Sequence, residues 1–278
     1  MKKLQVVIIG GGNMGAAILQ SLLRARGISS RQVTVIERNT VKRRQLKDHF
    51  LVDVQAVLLA SHLSSVDVVI IAIKPQNFPA VTGYIRDHFP KPGLLVSVMA
   101  GVKISTIKSS TNCSRIIRIM PNLPMAVGKG FSAWFATRSV SKKQKNFVHK
   151  ILAAGGEQIQ INKENLFDAI TAISGSGPAY LFTFVADLMN AAQQLGVETV
   201  EARKMVLQTL KGSLALLENS TDSADSWRKR VTSKGGTTAA AFKVLRKGGL
   251  DKLWLSAIQA AHRRSRQLSV LLDKILRE

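Results

Sequence analysis

Three glycines near the start of the chain have the spacing of a dinucleotide-binding turn. Gly10, Gly12 and Gly15 form the pattern G-x-G-x-x-G between an apolar run and a helical pattern. The first glycine lets the chain leave a strand sharply, the second admits a pyrophosphate, and the third lets the helix pack closely on the sheet. Free N–H groups at the helix start then hold the phosphates. We therefore predict that a dinucleotide binds at Gly10, Gly12, Asn13, Met14 and Gly15.

The residues after the next predicted strand bear on the 2′ position of this dinucleotide. Glu37 ends that strand 22 residues after Gly15 and would accept hydrogen bonds from both ribose hydroxyls, which favours NAD. Arg38, with Lys42 or Arg43, would pair with a 2′-phosphate, which favours NADP. We predict NADP, with Arg38 as a ligand and Glu37 turned outward, and NAD stays an alternative.

A second glycine turn lies in the last third of the chain, within "SKGGTTAAAFKVL". Gly235 and Gly236 leave N–H groups bare, and Thr237 and Thr238 open a helical pattern whose start attracts a carboxylate. The alternative is that the threonines only cap the helix.

Composition and charge narrow the class of protein. A chain of 278 residues that is 46% hydrophobic can bury the cores of two domains. The 40 Lys and Arg against 17 Asp and Glu give a net charge of +23, which raises nucleic acid or a small anion as partners. The basic clusters are far apart and only 5% of residues are aromatic, so we favour a solvated basic surface and a small-molecule substrate over nucleic acid.

Cysteine, histidine and apolar patterns point to a cytoplasmic protein without metal. Cys113 is the single cysteine and has no partner for an internal disulfide, which fits a reducing compartment. No apolar stretch approaches the roughly 20 residues that span a bilayer, so we expect no membrane partner. The five histidines lack metal-ligand spacing, and we predict no metal site.

The rhythm of the chain predicts an α/β fold with two domains. Short β-branched runs alternate with helical patterns in residues 1–161, which predicts a Rossmann-like dinucleotide-binding domain with a mostly parallel sheet. Residues 162–278 form helical patterns, interrupted at "SGSGP", and predict an all-helical substrate and dimerisation domain. Their apolar faces exceed what one small bundle would hide, so we favour an oligomer over a monomeric bundle.

Four motifs together resemble those of pyrroline-5-carboxylate reductases. They are "IAIKP" (71–75), "MPNLP" (120–124), "ITAISGSGPAYLF" (170–182) and "VTSKGGTTAAAFKVLRKGGL" (231–250). The resemblance covers essentially the whole chain in the right order. It implies a helical domain that interlocks with a second subunit, in homodimers that in several members assemble into decamers.

The resemblance also implies a reaction. A cyclic imine bearing a carboxylate, 1-pyrroline-5-carboxylate, would receive hydride from NAD(P)H and become L-proline. Gly235, Gly236 and Thr237 would bind the carboxylate, and Thr238 would hydrogen-bond the nitrogen and position or relay a proton. Lys234 stands where the family often has proline, and Leu123 where it often has threonine. Both departures concern substrate preference more than reaction type.

Two further motifs are expected at the reacting groups. Ala72, Lys74 and Pro75 follow a predicted strand and would line the nicotinamide pocket, with Asn122 as another polar contact. A Schiff base on Lys74 would gain nothing, because the substrate already contains a C=N bond.

Gly175 and Ser176, in "SGSGP", would contact the substrate ring, where glycine permits a close backbone approach. The alternative is a helix break without a ligand.

Two other functions compete with this reading. One is a related imine or hydroxyacid reductase, which would share the glycine turn. The other is a protein without enzymatic activity that binds a dinucleotide or nucleic acid on the same fold, because a fold alone does not establish activity.

Overall fold

The computed structural model describes residues 4–25 and 27–275, and within them one sheet of eight strands. Residues 1–3, 26 and 276–278 of the predicted domains lie outside this description. The strands are β1 (Val6–Ile9), β2 (Val33–Ile36), β3 (Asp53–Gln55), β4 (Val68–Ile71), β5 (Leu94–Ser97), β6 (Ile116–Pro121), β7 (Gly130–Ala136) and β8 (Gly156–Gln160). The helices are α1 (Asn13–Arg24), α2 (Thr40–Phe50), α3 (Ala60–Leu63), α4 (Pro79–His88), α5 (Ile104–Thr111), α6 (Lys142–Gly155), α7 (Phe167–Ile170), α8 (Gly177–Gln194), α9 (Thr199–Glu218), α10 (Ala224–Arg230), α11 (Thr237–Lys247) and α12 (Leu250–Ile275).

The order of the strands is that of a doubly wound sheet. The spatial order is β3-β2-β1-β4-β5-β6-β7-β8, and every neighbouring pair is parallel except β6 with β7. The chain first builds outward from β1 through β2 and β3, and then crosses to the other side of β1 at β4. Ligands of such sheets bind at the carboxyl ends of the strands beside this crossover.

The central strands are apolar because both faces of the sheet are covered. β1 and β4 share the sequence VVII, and all residues of both strands are buried, with Val6 opposite Val68 and Ile9 opposite Ile71. Helices α1 and α6 pack on the face that carries Val6 and Ile8. Helices α4 and α5 pack on the face that carries Val7 and Ile9. Parallel strands covered on both sides lose the alternation of half-buried strands.

The β-branched runs of the sequence predict six of the eight strands, namely β1, β2, β4, β5, β6 and β8, and they miss β3 and β7. β3 has three residues, of which Asp53 is exposed, so it offers no apolar run. β7 begins at Gly130 and includes the small residue Ser132, which is buried. Both strands are ordered by their neighbours β2 and β6 more than by their own propensity.

The chain divides into two compact units after Ser176 and again before Ala261. The first unit contains the sheet and the last part of α12. There Leu272 is buried, and the hydroxyl of Thr106 donates a hydrogen bond to the carboxylate of Asp273. The second unit is Gly177–Ala260 and is helical. The boundary predicted after residue 161 falls where the sheet ends, and it stays a prediction about the division of function.

The helices of the second unit leave large apolar side chains in solvent. Phe182 is 61% exposed and Leu195 is 85% exposed in the single chain. Within the described residues, one helical stretch, Glu164–Gln194, has the length and apolar composition to cross a membrane, and 6% of its most apolar window is buried. One such stretch is weak support for a membrane segment, and apolar helical faces of this kind are typical of subunit interfaces.

Cys113 follows α5 and packs at the edge of the apolar cluster on the sheet face that carries Val7 and Ile9. Burial raises the pKa of the Cys113 thiol above its usual value, and a hydrogen bond with Thr111 offsets only part of that rise. Because the pKa is raised, less of the Cys113 thiol is ionised at neutral pH than in an exposed cysteine. The thiolate is the reactive form, so Cys113 should react slowly.

We predict slow alkylation of Cys113 at neutral pH. The rate of reaction with iodoacetamide should rise with pH through a midpoint above that of the same cysteine in the urea-unfolded chain. The unfolded chain is a matched control because Cys113 is its single cysteine. A midpoint at or below that of the unfolded chain would contradict the buried environment.

Candidate cofactor and substrate site

The glycine turn lies at the carboxyl end of β1, beside the end of β4. Gly10 has a φ of +106°, which residues other than glycine rarely adopt. A Cβ atom there would lie 2.6 Å from the carbonyl oxygen of Ala72. The N–H of Gly10 donates to the carbonyl of Ile36 at 2.8 Å, and the N–H of Ala72 donates to that of Ile9 at 2.8 Å. The turn is therefore fixed against the ends of both strands that flank β1.

Gly12 and Gly15 are glycines for different reasons. A Cβ atom on Gly15 would overlap the carbonyl oxygen of Gly10, so this glycine lets α1 pack against the turn. Gly12 has an ordinary φ of −68°, and a Cβ atom there would meet nothing within 4 Å. The described chain itself does not require glycine at this position. The open space fits a bound pyrophosphate, as the sequence predicts for the second glycine.

The start of α1 is prepared for an anion. Gly12 is its N-cap and provides no side-chain acceptor, and the first turn carries no acidic residue. The N–H groups of Asn13 and Met14 belong to this first turn, where an α-helix leaves its donors without intrahelical acceptors. A phosphate at this point would receive those donors and the positive end of the helix dipole.

Glu37 binds the glycine turn and does not face outward. Its Oε2 accepts a hydrogen bond from the N–H of Gly11 at 2.9 Å, and its Oε1 accepts one from the N–H of Asn39 at 2.8 Å. The prediction that Glu37 turns outward is therefore wrong, because two backbone donors hold the carboxylate. Arg43 donates to the carbonyl oxygens of Glu37 and Arg38, at 3.2 and 2.6 Å. Arg38 itself has an exposed side chain.

The motif after β4 lies at the same edge of the sheet. Ala72 contacts the glycine turn, and Lys74 is exposed and caps a short 3₁₀ turn over Pro75–Asn77. The N–H of Asn77 closes this turn on the carbonyl of Lys74 at 2.9 Å. The predicted nicotinamide contacts from this motif are therefore neighbours of the predicted pyrophosphate contacts.

The segment before α8 contains a π turn. Residues Thr171–Gly175 form it, and the N–H of Ser176 donates to the carbonyl of Thr171 at 2.8 Å. The helical pattern is interrupted where the sequence places the interruption, and π turns are frequent at functional sites. Asn122 reaches this segment, since its Nδ2 donates to the hydroxyl and carbonyl oxygens of Ser174 at 3.2 and 3.3 Å.

Gly175 makes room for a side chain of the same unit. A Cβ atom on Gly175 would lie 2.6 Å from Cε of Met120, whereas one on Gly177 would meet nothing within 4 Å. Packing therefore explains Gly175 without a ligand. Its contact with the substrate ring, and that of Ser176, stays a prediction.

The glycine–threonine turn of the second unit leads directly into α11. Gly235 has a φ of +73°, and Gly236 is the N-cap, with no side-chain hydrogen bond at the cap and no acidic residue in the first turn. The N–H of Gly236 donates to the carbonyl of Ser233 at 3.1 Å. Thr237 is exposed and Thr238 half-buried. The N-cap of α11 is therefore a glycine, and the helix start is open to an anion.

A cavity of about 1010 Å³ opens at the opposite edge of the sheet. It is lined by residues that precede strands, such as Leu4, Asp67 and Gly93, and by the start of α6. None of the predicted site residues line it, so we do not assign the substrate to this cavity.

Comparison with known proteins decides the family. Residues 164–268 match the family model for pyrroline-5-carboxylate reductase dimerisation, and residues 5–101 match the model for NADP oxidoreductase, coenzyme F420-dependent. A pyrroline-5-carboxylate reductase of Pasteurella multocida is 34% identical, over 98% of this chain and 100% of its own. One of Pseudomonas aeruginosa is 32% identical, over 97% and 98%. The chain belongs to the pyrroline-5-carboxylate reductase family.

Solved structures of this family have the same fold. The pyrroline carboxylate reductase of Plasmodium falciparum with NADP bound has a TM-score of 0.87 and 26% identity, over 97% of this chain and 99% of its own. The reductase of Coxiella burnetii has a TM-score of 0.81 and 33% identity, over 96% and 99%. The predicted family, fold class, oxidoreductase class and NADP cofactor are confirmed. The dimerisation match also confirms the predicted homo-oligomer, although not its number of subunits.

Arg118 and Glu164 are the residues of the reductase that sequence reasoning missed. They form a partly buried ion pair between β6 and the beginning of the segment that leads to the π turn. The available signal was a charged residue in an otherwise apolar strand pattern, because an arginine there needs a partner.

We predict that Gly12→Ala and Gly15→Ala separate binding from folding. Gly12→Ala should lower the melting temperature only by the small cost of a poorer N-cap, and it should raise the Kd for NADPH, because its methyl group fills space used only by the ligand. Gly15→Ala should lower the melting temperature, because its methyl group meets the backbone of Gly10. Calorimetry and NADPH fluorescence titration measure the two effects. Equal loss of stability in both variants would contradict the assignment.

Proposed function

We propose that the protein catalyses the last step of proline synthesis. The cyclic imine 1-pyrroline-5-carboxylate gains hydride at carbon and a proton at nitrogen, and L-proline is released. The observation that carries the proposal is the presence of two open turns in one chain, one at Gly10–Gly15 for a dinucleotide and one at Gly235–Thr238 for a carboxylate. Relatives similar over nearly the whole chain bear the name of this reductase.

The cofactor side of the reaction follows from the first unit. NADPH supplies the hydride when it is bound. The N–H groups of Asn13 and Met14 would donate to its pyrophosphate, and the open space at Gly12 would admit it. Ala72, Lys74 and Pro75, with Asn122, line the place of the nicotinamide. These residues would orient the nicotinamide ring, which is how a protein contributes to hydride transfer.

The 2′-phosphate is the function we assign to the turn after β2. Arg38 is exposed there, and Arg43 braces the main chain of the same turn through hydrogen bonds to two carbonyl oxygens. Lys42 adds a second exposed cation. Glu37 accepts one backbone N–H on each carboxylate oxygen, and each oxygen keeps an acceptor site that a ribose hydroxyl could use, so NAD stays the alternative cofactor.

The substrate side follows from the second unit. Gly235, Gly236 and Thr237 hold the carboxylate, because the start of α11 offers N–H donors and no competing acid. The hydroxyl of Thr238 hydrogen-bonds the ring nitrogen. An unperturbed hydroxyl is a poor acid at neutral pH, so Thr238 positions or relays the proton and is not its original donor. From the first unit, we assign Gly175 and Ser176 to contacts with the substrate ring.

The assembly and location complete the proposal. We assign the exposed apolar faces of α8 and α9, which include Phe182 and Val200, to a homodimer that assembles further into a decamer. The enzyme works in the cytoplasm as a soluble biosynthetic protein.

The direct test is the oxidation of NADPH, and separately of NADH, with 1-pyrroline-5-carboxylate as acceptor. The proposal expects proline as product and a larger kcat/KM with NADPH. Protein that binds NADPH but forms no proline would overturn it.

We predict that Arg38→Ala changes cofactor preference. A charged hydrogen bond to phosphate contributes about 1.5–3 kcal/mol, so kcat/KM for NADPH should fall roughly 10- to 100-fold while that for NADH changes little. The matched control is Arg44→Ala, because Arg44 is exposed on α2 and pairs with Asp48. Equal losses with both cofactors would contradict the assigned 2′-phosphate contact.

We predict that Thr238→Ala lowers kcat by roughly 100-fold, the scale of a positioned proton-transfer group. The melting temperature and the Kd for NADPH should stay at wild-type values. Thr238→Ser keeps the hydroxyl and should recover most of the rate. Full turnover by Thr238→Ala would remove Thr238 from the reaction.

A further inference from the structure

One face of β6 contacts the segment that carries the proposed substrate residues. Arg118, Met120 and Asn122 alternate along the strand and its end, so their side chains point to the same side of the sheet. Arg118 contacts Glu164, Met120 lies against Gly175, and Asn122 contacts Ser174. The strand thus touches this stretch at both its beginning and its end.

The contact at the beginning is an ion pair between a buried arginine and a partly exposed glutamate. Nη1 of Arg118 lies 2.8 Å from Oε1 of Glu164, and the side chain of Arg118 is 6% exposed. The same Oε1 accepts a hydrogen bond from the N–H of Ile104 at 2.8 Å. The guanidinium lies 4.4 Å from the centre of the Phe167 ring. Each hydrogen-bonding partner fixes the direction of the others, which a packed apolar cluster would not do.

The contact at the end is a fixed amide. Nδ2 of Asn122 donates to Ser174, and Oδ1 of Asn122 accepts from the N–H of Phe131 at 2.8 Å. Both ends of the amide are therefore used, so its orientation is determined. Met120 lies between these two contacts and fills the space beside Gly175.

We infer that Arg118, acting through Glu164, is a positioning residue that sets Gly175 and Ser176 for the substrate. This inference rests on the proposed function, because it takes those two residues as substrate contacts. Buried ion pairs contribute little net stability compared with apolar packing, and fixing one arrangement is a role they serve in some proteins. Here the fixed arrangement is the course of the chain from Glu164 through the π turn.

The test compares Arg118→Lys with the wild type in steady-state reduction of 1-pyrroline-5-carboxylate by NADPH. Lysine keeps the charge but loses the planar fork and the contact with Phe167. Displacement of substrate contacts by about 1 Å can cost 100-fold, so kcat/KM for the imine should fall roughly 10- to 100-fold. The Kd for NADPH should stay within about twofold of the wild-type value, because the glycine turn does not depend on this pair. Arg115→Lys, the same change three residues earlier, should keep wild-type kinetics.

Two outcomes overturn the inference alone. One is wild-type kcat and KM in Arg118→Lys with only a lower melting temperature, which assigns the pair to stability. The other is an equal rise in the Kd for NADPH, which assigns it to the cofactor domain as a whole. A wild-type chain that does not reduce the imine overturns the proposed function and this inference with it.

A second variant keeps the test decisive if Arg118→Lys does not fold. Glu164→Gln keeps an acceptor for the N–H groups of Ile104 and Arg118 and removes only the charge. The inference expects a lower kcat/KM for the imine, with the Kd for NADPH unchanged. Wild-type kinetics in a folded Glu164→Gln variant would overturn the role of the charged pair.

Discussion

The close approach of Gly10 to the carbonyl of Ala72 is the constraint on which the cofactor unit depends. It exists because β1 pairs in parallel with β4, so the chain leaves both strands at the same edge. The turn can remain this close to Ala72 only with glycine and a positive φ, and α1 can begin at Asn13 only if Gly15 lets the helix pack on the turn. The first donors of α1 therefore point to the place where the strand order reverses, which is where such sheets bind nucleotides.

The antiparallel edge of the sheet has a different role. β6 is the last strand in the parallel series, and its contacts with the stretch after Glu164 relate that stretch to the sheet through Arg118, Met120 and Asn122. The dimerisation family model begins at residue 164, the residue that Arg118 holds. β6 therefore pairs with the parallel strands of the sheet and also contacts the stretch that begins at Glu164. The residues proposed for the cofactor and for the substrate ring in the first unit are therefore linked through β6.

Much of the cofactor unit could be predicted because its signals are local. Local sequence patterns predict the two central VVII strands, the G-x-G-x-x-G turn and the helices of the last third of the chain. What could not be predicted depends on long-range contacts. Glu37 turns inward because Gly11, 26 residues earlier, presents an N–H to it. Arg118 finds its acid 46 residues away. Gly175 leaves space for the side chain of Met120, whereas the local sequence indicated only a ligand contact or a helix break.

We propose that the turn at Gly10–Gly15 binds the cofactor and that the turn at Gly235–Thr238 binds the substrate carboxylate. Hydrogen–deuterium exchange measured by mass spectrometry, with NADPH alone and then with NADPH and proline, tests both parts in one experiment. We predict slower exchange at residues 10–16 with NADPH alone. Addition of proline should slow exchange further at residues 235–240. Unchanged exchange at residues 235–240 with saturating proline, or unchanged exchange at residues 10–16 with saturating NADPH, would contradict these assignments.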